Sequence, residues 1–540
     1  MANRRDFMAL SVAFAAFPAF SGARAQGSLG VPVETASGKI RGFLDDGVNV
    51  FRGIPYGTAE RFKAAVSPEP WTGVRDMLGW GFDAPQGRSA PHQNAFSLVA
   101  SDKSLQQAQS EDCLALNVWT STLDANARRP VMVWLHGGGF VSGSASTAVH
   151  DGRNLARDAE VVVVSLNHRL NVLGFTHLDD PEFADSGNAG MLDITLALRW
   201  VQENIARFGG DPDNVTVFGY SGGGQKVSTL LAMPGARGLF HKAIVQSGQN
   251  PLLLSRDQAA GNTRALYAEL GLTQGDARGL QSVALPSLMA AFSRVWTAPP
   301  RQTWGFPARF SPLVDGRIVP AHPYEAVDLS ADVPLIIGSM REEMAGFTLM
   351  MDPEAFRMSL ADLAARLEPY MGTETAQVIE GYRAIYPDFS PWDLYALISA
   401  DAPTRINSIL IAERRHALGA APTFMYRVDW QTRVFDGLMK APHGLEVPLV
   451  FRNVEEDSGL NGGGEDAFAL SQDLSDAWVS FARSGRPDTP RHPWPAYDSS
   501  TRSTMLFDRQ TRVESDPGAA ERRLLDGFAR RQLAEASRAT

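Results

Sequence analysis

The chain has 540 residues, 44% of them hydrophobic and 20% charged, with a formal net charge of -10. That composition supplies enough apolar surface for a large core and excludes a disordered chain, while the acidic balance argues against nucleic acid or anionic membranes as partners. Cys113 is the single cysteine, so no intramolecular disulfide can form and no zinc site can rest on several thiolates; it reads as a small buried hydrophobe.

Residues 1–25 open with Arg4 and Arg5, run apolar from Phe7 to Phe20 and close with Ala23-Arg24-Ala25. A basic start, an apolar middle and a small-x-small end make a cleavable export signal. The paired arginines before Asp6-Phe7-Met8 resemble the twin-arginine kind. The apolar run is short for a membrane span and contains Pro18, so no stable membrane anchor is expected. The mature chain is expected to begin near Gln26, in the periplasm or outside the cell. No Pro/Ser-rich linker divides residues 26–540, which are read as one domain.

Apolar runs bounded by turn residues follow at Val131–Leu135, Val161–Leu166, Val215–Phe218, Ala243–Val245, Leu335–Ile337 and Phe424–Val428. Continuous rather than alternating apolarity marks strands buried on both faces. Between them lie helical patterns, clearest from Met191 to Phe208, where Leu192, Leu196, Trp200 and Val201 share one face before Gly209-Gly210 ends the run. Alternation of this kind predicts a mostly parallel central sheet flanked by helices. The stretch from about Asp352 to Tyr386 is helical without strands and reads as an insertion over the sheet; Asp457 to Glu465 reads as a mobile glycine-rich surface loop.

Two glycine motifs stand at strand ends. His136-Gly137-Gly138-Gly139 follows the Val131–Leu135 run, where backbone amides can approach a developing oxyanion. The expected donors are the amides of Gly138 and Gly139 with that of Gly222; His136 itself reads as a brace for the loop. Further on, Val215–Phe218 runs into Gly219-Tyr220-Ser221-Gly222-Gly223, and a helix-compatible stretch from Lys226 to Met233 follows. Strand, tight turn and helix around a serine flanked by glycines present the hydroxyl at a strand end, which makes Ser221 the expected nucleophile. The same glycines lack the spacing of a phosphate loop or a dinucleotide-binding turn, so no cofactor and no metal are expected.

A serine hydroxyl needs a base, and the base needs an orienting acid. With nucleophile, acid and base in that chain order, few of the ten histidines qualify. His322 precedes the best acid candidates, His416 lies in a charged helical stretch and His492 sits in a proline-rich turn. His443, in Ala441-Pro442-His443-Gly444-Leu445 after the Phe424–Val428 strand, remains. For the acid, the Leu335–Ile337 strand leads to two adjacent carboxylates, Glu342 and Glu343, between which residue chemistry does not choose.

Taken together these residues resemble the type-B carboxylesterase and cholinesterase family of α/β-hydrolases, in its bacterial para-nitrobenzyl-esterase-like branch. The resemblance spans nearly the whole mature chain. It includes Phe51-Arg52-Gly53-Ile54-Pro55-Tyr56, Glu111-Asp112-Cys113-Leu114, Leu116-Asn117-Val118, Asn167-His168-Arg169, Gly187-Asn188-Ala189-Gly190, Phe208-Gly209-Gly210-Asp211-Pro212, Gln246-Ser247-Gly248 and Trp494-Pro495-Ala496-Tyr497. It implies an α/β-hydrolase fold with helical insertions over the active site, and hydrolysis of a small-molecule carboxylic ester through an acyl-enzyme. The family's acid lies five residues after a strand-end glycine and four before a phenylalanine, which here selects Glu343, between Gly338 and Phe347. Its base lies in a Pro-His-Gly segment, which is His443, and Ser247 resembles a position that supports the triad from behind.

Three positions depart from the family. Tyr220 stands where glutamate usually precedes the nucleophile, and Lys103 lies where the cholinesterases carry an aromatic choline platform, so cholinesterase activity is not expected. Ala84, before Pro85-Gln86, replaces the cysteine that would pair with Cys113. Two alternatives to a general ester hydrolase are a hydrolase of a bulky specialised ester, carbamate or lactone, with Trp296 and Trp304 either bordering its pocket or packing in the core, and a catalytically inactive binding protein. Members of the latter kind lack a triad residue, whereas all three are present here.

Overall fold

A computed structural model describes residues 27–87, 94–95, 107–298, 308–456 and 458–538. The expected export signal, Lys103 and Trp304 lie outside them. The described strands form one large sheet and a small one made of Val33–Thr35, Gly38–Arg41 and Val74–Asp76. In chain order the strands of the large sheet are β1 (Phe43–Asp45), β2 (Val48–Pro55), β3 (Ala115–Thr120), β4 (Arg129–Leu135), β5 (Val162–Leu166), β6 (Gly210–Tyr220), β7 (Lys242–Gln246), β8 (Leu335–Met340), β9 (Thr423–Val428), β10 (Ser503–Phe507) and β11 (Arg512–Ser515). Their spatial order is β1-β2-β3-β5-β4-β6-β7-β8-β9-β10-β11. Pairing is parallel from β5 through β10 and antiparallel at both edges.

The six apolar runs are the central parallel strands β4 to β9. Their middles are buried on both faces, as a parallel sheet covered by helices requires. Helix α1 (Ala189–Asn204) packs on β6, and α2 (Gly222–Leu231) packs on β6 and β7. The expected helical insertion lies between β8 and β9, where Ala345–Met351, Leu360–Met371, Thr375–Ile385, Pro391–Ala400 and Ile406–Ala417 follow one another without an intervening strand. The glycine-rich stretch after residue 457 differs from its expectation. Ser458–Asn461 is helical, Leu460 and Asn461 are buried, and a long helix begins at Gly464. Asn461 Nδ2 donates to Val454 O at 3.0 Å, which ties the turn down at Asn461, while Gly462, Gly464 and Glu465 are exposed at the surface.

Cys113 is free and buried, and burial pushes its thiol pKa up, so it stays an inert core group. Ala84 is buried as well. A buried ion pair joins the segment after β5 to α1: Arg169 Nε and Nη2 donate to the two oxygens of Asp193 at 2.8 and 2.6 Å, and the Arg169 amide donates to Asp193 Oδ2 at 3.0 Å. The remaining guanidinium nitrogen donates to Lys63 O at 2.7 Å. Removing the carboxylate would leave a buried guanidinium without its counter-charge. Asp193→Ala is therefore expected to cost about 3–5 kcal/mol of stability, read as a lowered midpoint in urea denaturation.

Candidate active site

Ser221 follows β6 and caps α2, with φ 54° and ψ -126°. A non-glycine residue at positive φ is strained and is held there only by its surroundings. Two hydrogen bonds do the holding: the Ser221 amide donates to Gln246 O at 2.8 Å, and the Gln225 amide donates to Ser221 O at 2.9 Å. Crowding explains the flanking glycines. A Cβ at Gly223 would run into the carbonyl of Leu135, and one at Gly222 into the backbone of Gly139. Glycine at both positions lets the Ser221 turn lie against the loop that leaves β4.

That loop is His136 to Gly139. The amides of Gly138, Gly139 and Gly222 donate to no protein acceptor among the described residues, and Gly222 and Gly139 are in backbone contact. Free amides gathered beside a strained serine are what a developing oxyanion requires. His136 is buried, its Nδ1 lies 2.8 Å from Gly137 O, and its ring stacks on His168 at 5.2 Å. Burial, together with the nearby Lys226, holds both imidazoles well below the usual histidine range. Neutral and enclosed, His136 braces the loop.

The loops after β8 and β9 meet through their backbones. The Glu342 amide donates to Ala441 O at 3.3 Å and the His443 amide donates to Glu343 O at 3.1 Å. Their side chains then diverge. Glu343 Oε2 lies 2.5 Å from His443 Nδ1, while Glu343 Oε1 accepts from the Met340 amide at 2.9 Å. Glu342 takes the other direction, accepting from Gln431 Nε2 at 3.1 Å and from the Ala441 amide at 3.2 Å. Both carboxylates are buried, so neither is a surface charge. The imidazole lies between the rings of Phe347 and Tyr220, at centroid distances of 5.3 and 5.7 Å.

The other downstream histidines lie away from these two loops. His322 Nδ1 accepts from the Leu253 amide at 3.1 Å, His492 pairs with Asp473 at 3.2 Å, and His416 is exposed at the end of its helix. Ser247 follows β7 with φ 48°, its amide donating to Gly338 O at 2.9 Å. Its hydroxyl is buried without a hydrogen-bond partner among the described residues. Trp296 is half-buried near the end of the Leu285–Thr297 helix and packs on Phe292 at 6.0 Å.

One residue of the site escaped the sequence reading. Glu446, three residues after His443, is completely buried; its Oε1 accepts from Gln246 Nε2 at 3.3 Å, and Gln246 Oε1 accepts in turn from Trp478 Nε1 at 3.2 Å. Its only sequence signal is a carboxylate inside the apolar run Leu445 to Val450. Burial, with Glu343 nearby, pushes the Glu446 carboxyl up to about 7. For His443, burial favours the neutral ring, but the charge and hydrogen bond of Glu343 and the charge of Glu446 outweigh it and raise the pKa above 6.5.

The chain matches the model of the carboxylesterase family over residues 30–524. It is 36% identical over 501 residues to the para-nitrobenzyl esterase of Bacillus subtilis (strain 168), covering 91% of this chain and 98% of that protein. Identity to phenmedipham hydrolase of Pseudarthrobacter oxydans is 32% over 485 residues, covering 87% and 94%. Among solved structures, a carboxylesterase of Geobacillus stearothermophilus superposes with a TM-score of 0.78 at 35% identity, covering 92% of this chain and 99% of that one.

The charge balance around His443 has a measurable consequence. An ionised Glu446 favours the imidazolium, so Glu446→Gln is expected to lower the midpoint of the His443 titration. Ring resonances of carbon-13-labelled histidine, followed against pH in both proteins, check this; an unmoved midpoint would remove Glu446 from the balance.

Proposed function

The chain belongs to the carboxylesterase family, has the α/β-hydrolase fold and hydrolyses carboxylic esters; from that premise we propose that Ser221, His443 and Glu343 form its catalytic triad, with Gly138, Gly139 and Gly222 as the oxyanion hole. The observation that carries this reading is the 2.5 Å contact between His443 Nδ1 and Glu343 Oε2. With Nδ1 given to the carboxylate, Nε2 is left as the basic nitrogen.

His443 takes the Ser221 proton as the hydroxyl oxygen attacks the ester carbonyl carbon. The carbonyl oxygen becomes an oxyanion and accepts hydrogen bonds from the three amides. As the tetrahedral intermediate collapses, the bond to the alcohol oxygen breaks and His443 returns the proton to the departing alcohol. The acyl-enzyme is then attacked by water, which loses its proton to the same nitrogen, and the acid leaves as Ser221 is reprotonated. Glu343 fixes the ring tautomer and stabilises the imidazolium in both steps. Ser247 and Tyr220 support the site without entering the bond changes: Ser247 closes the strand end behind the nucleophile turn, and Tyr220 packs beside the base.

Residues 1–25 carry the enzyme out of the cytoplasm as a cleaved twin-arginine signal, and residues 26–540 act as one domain in the periplasm or outside the cell. Among the described residues no helix is long and apolar enough to cross a membrane. The partner is a small-molecule ester substrate, with no nucleic acid.

Ser221→Ala is expected to lower turnover of para-nitrophenyl esters by several orders of magnitude and to abolish labelling by a fluorophosphonate probe. Wild-type turnover in that variant would overturn the triad. N-terminal sequencing of exported protein is expected to begin near Gln26, and a mature chain beginning at Met1 would overturn the export reading.

A further inference from the structure

Lys226 has no part in the chemistry above, yet it lies five residues beyond the nucleophile on α2 and is completely buried. Among the described residues no carboxylate lies within ion-pair distance of it. Its Nζ donates instead to two backbone carbonyls, His136 O at 3.1 Å and Gly139 O at 2.9 Å, and it stands 5.5 Å from the ring of Phe140. A buried amine without a counter-ion is costly; burial brings this one down to about 7. Leucine or methionine would fill the same space without that cost, so the two hydrogen bonds are what distinguish a lysine here.

The two acceptors are the first and last residues of His136-Gly137-Gly138-Gly139. Between and at these anchors lie the amides of Gly138 and Gly139, which have no protein acceptor among the described residues. A triple-glycine loop has wide conformational freedom, and a carbonyl turned toward a developing oxyanion would repel it. We propose that Lys226 is a positioning residue that clamps the carbonyls of His136 and Gly139 and thereby keeps the amides of Gly138 and Gly139 set for the oxyanion. The inference rests on the triad and oxyanion-hole reading above. Protonated or neutral, the amine carries at least two N–H donors, enough for both carbonyls. The clamp runs from the helix that begins at the nucleophile, so it fixes the loop relative to Ser221 itself.

A loop set for an oxyanion favours the transition state over the bound ester, and this separates the clamp from simple packing. In Lys226→Met, which keeps the length and loses the donors, kcat on a para-nitrophenyl ester is expected to fall roughly tenfold to a hundredfold, less than for outright loss of an oxyanion donor. The Ki of a trifluoromethyl ketone, whose serine adduct bears an oxyanion, should rise by a similar factor. KM and the Ki of the matching methyl ketone should stay within about twofold, because neither depends on that charge. Should Lys226→Met not fold, Lys226→Gln, which retains one amide donor group, is expected to show the same selective losses at smaller size. Unchanged kcat, or equal losses for both ketones alongside a lowered thermal midpoint, would overturn the clamp. Ser221→Ala, run in parallel, keeps the two readings apart: if it alone loses turnover while Lys226→Met is unimpaired, only the clamp falls, and if it keeps turnover both fall.

Discussion

Parallel pairing of β4 with β6 sets Leu135 beside Gly219, and the same register continues outward, with Gln246 of β7 beside Tyr220 and Gly338, and Met340 of β8 beside Val428. Every loop of the site therefore leaves the sheet at one edge, the carboxyl ends of its central strands. The glycine loop follows Leu135, Ser221 follows Tyr220, the two carboxylates follow Met340, and His443 lies in the loop after Val428. Residues more than two hundred positions apart meet because five strands end together. Backbone bonds then finish what the register begins: Ser221 is tied to Gln246, Ser247 to Gly338, and the loops after β8 and β9 to each other. Strain at Ser221 is affordable because the rigid sheet beneath over-determines its position.

Burial governs the electrostatics of the assembled site. An imidazole alone in this interior would be driven neutral, as His136 and His168 are. His443 is held in the opposite direction by Glu343 in direct contact and by the charge of Glu446, which favours the imidazolium that the proposed acyl transfer requires. One oxygen of Glu446 accepts from Gln246, which Trp478 holds in turn, while its Oε2 is buried without a hydrogen-bond partner among the described residues, so the charge balance around His443 reaches back into the core formed by the long helix Gly464–Ser484. Two basic groups are thus handled differently: His443 receives carboxylates, whereas Lys226 beside the glycine loop receives only carbonyls.

The central strands and α1 were legible in the sequence because parallel strands covered on both faces read as unbroken apolar runs. The edges were not. Strand β3 is interrupted by Asn117, buried because its side chain serves Gly53 N and Ser165 Oγ, and β11 is exposed along its whole length; neither shows a run. Local glycine chemistry pointed to the Ser221 turn and to the His136–Gly139 loop as the proposed nucleophile and oxyanion sites, and exclusion singled out His443 as the proposed base. Residue chemistry could not separate Glu342 from Glu343, since both are buried and both accept two hydrogen bonds, and only the loop geometry turns one toward the imidazole. Glu446 and Lys226 were illegible for a common reason. Each is a lone charged residue in its segment, and its meaning lies in partners that the fold brings from distant strands.

Tyr220 gains its meaning from the same charge balance. Its ring stacks on Trp134 at 5.9 Å with 7° between the planes, faces His443 at 5.7 Å, and fills the space beside Gly137 and Gly444. It therefore touches the loops that carry the expected oxyanion donors and the base. The glutamate usual in the family at this position would bring a third carboxylate to a site where Glu343 already helps to push Glu446 up to about 7. Like charges in a low-dielectric interior raise one another's pKa, so such a residue would be held neutral or would protonate its neighbour. A phenol avoids that competition and replaces a charge by apolar area. His443 then keeps the influence of two carboxylates, Glu343 and Glu446, and the residue beside its ring brings aromatic area instead of a third charge.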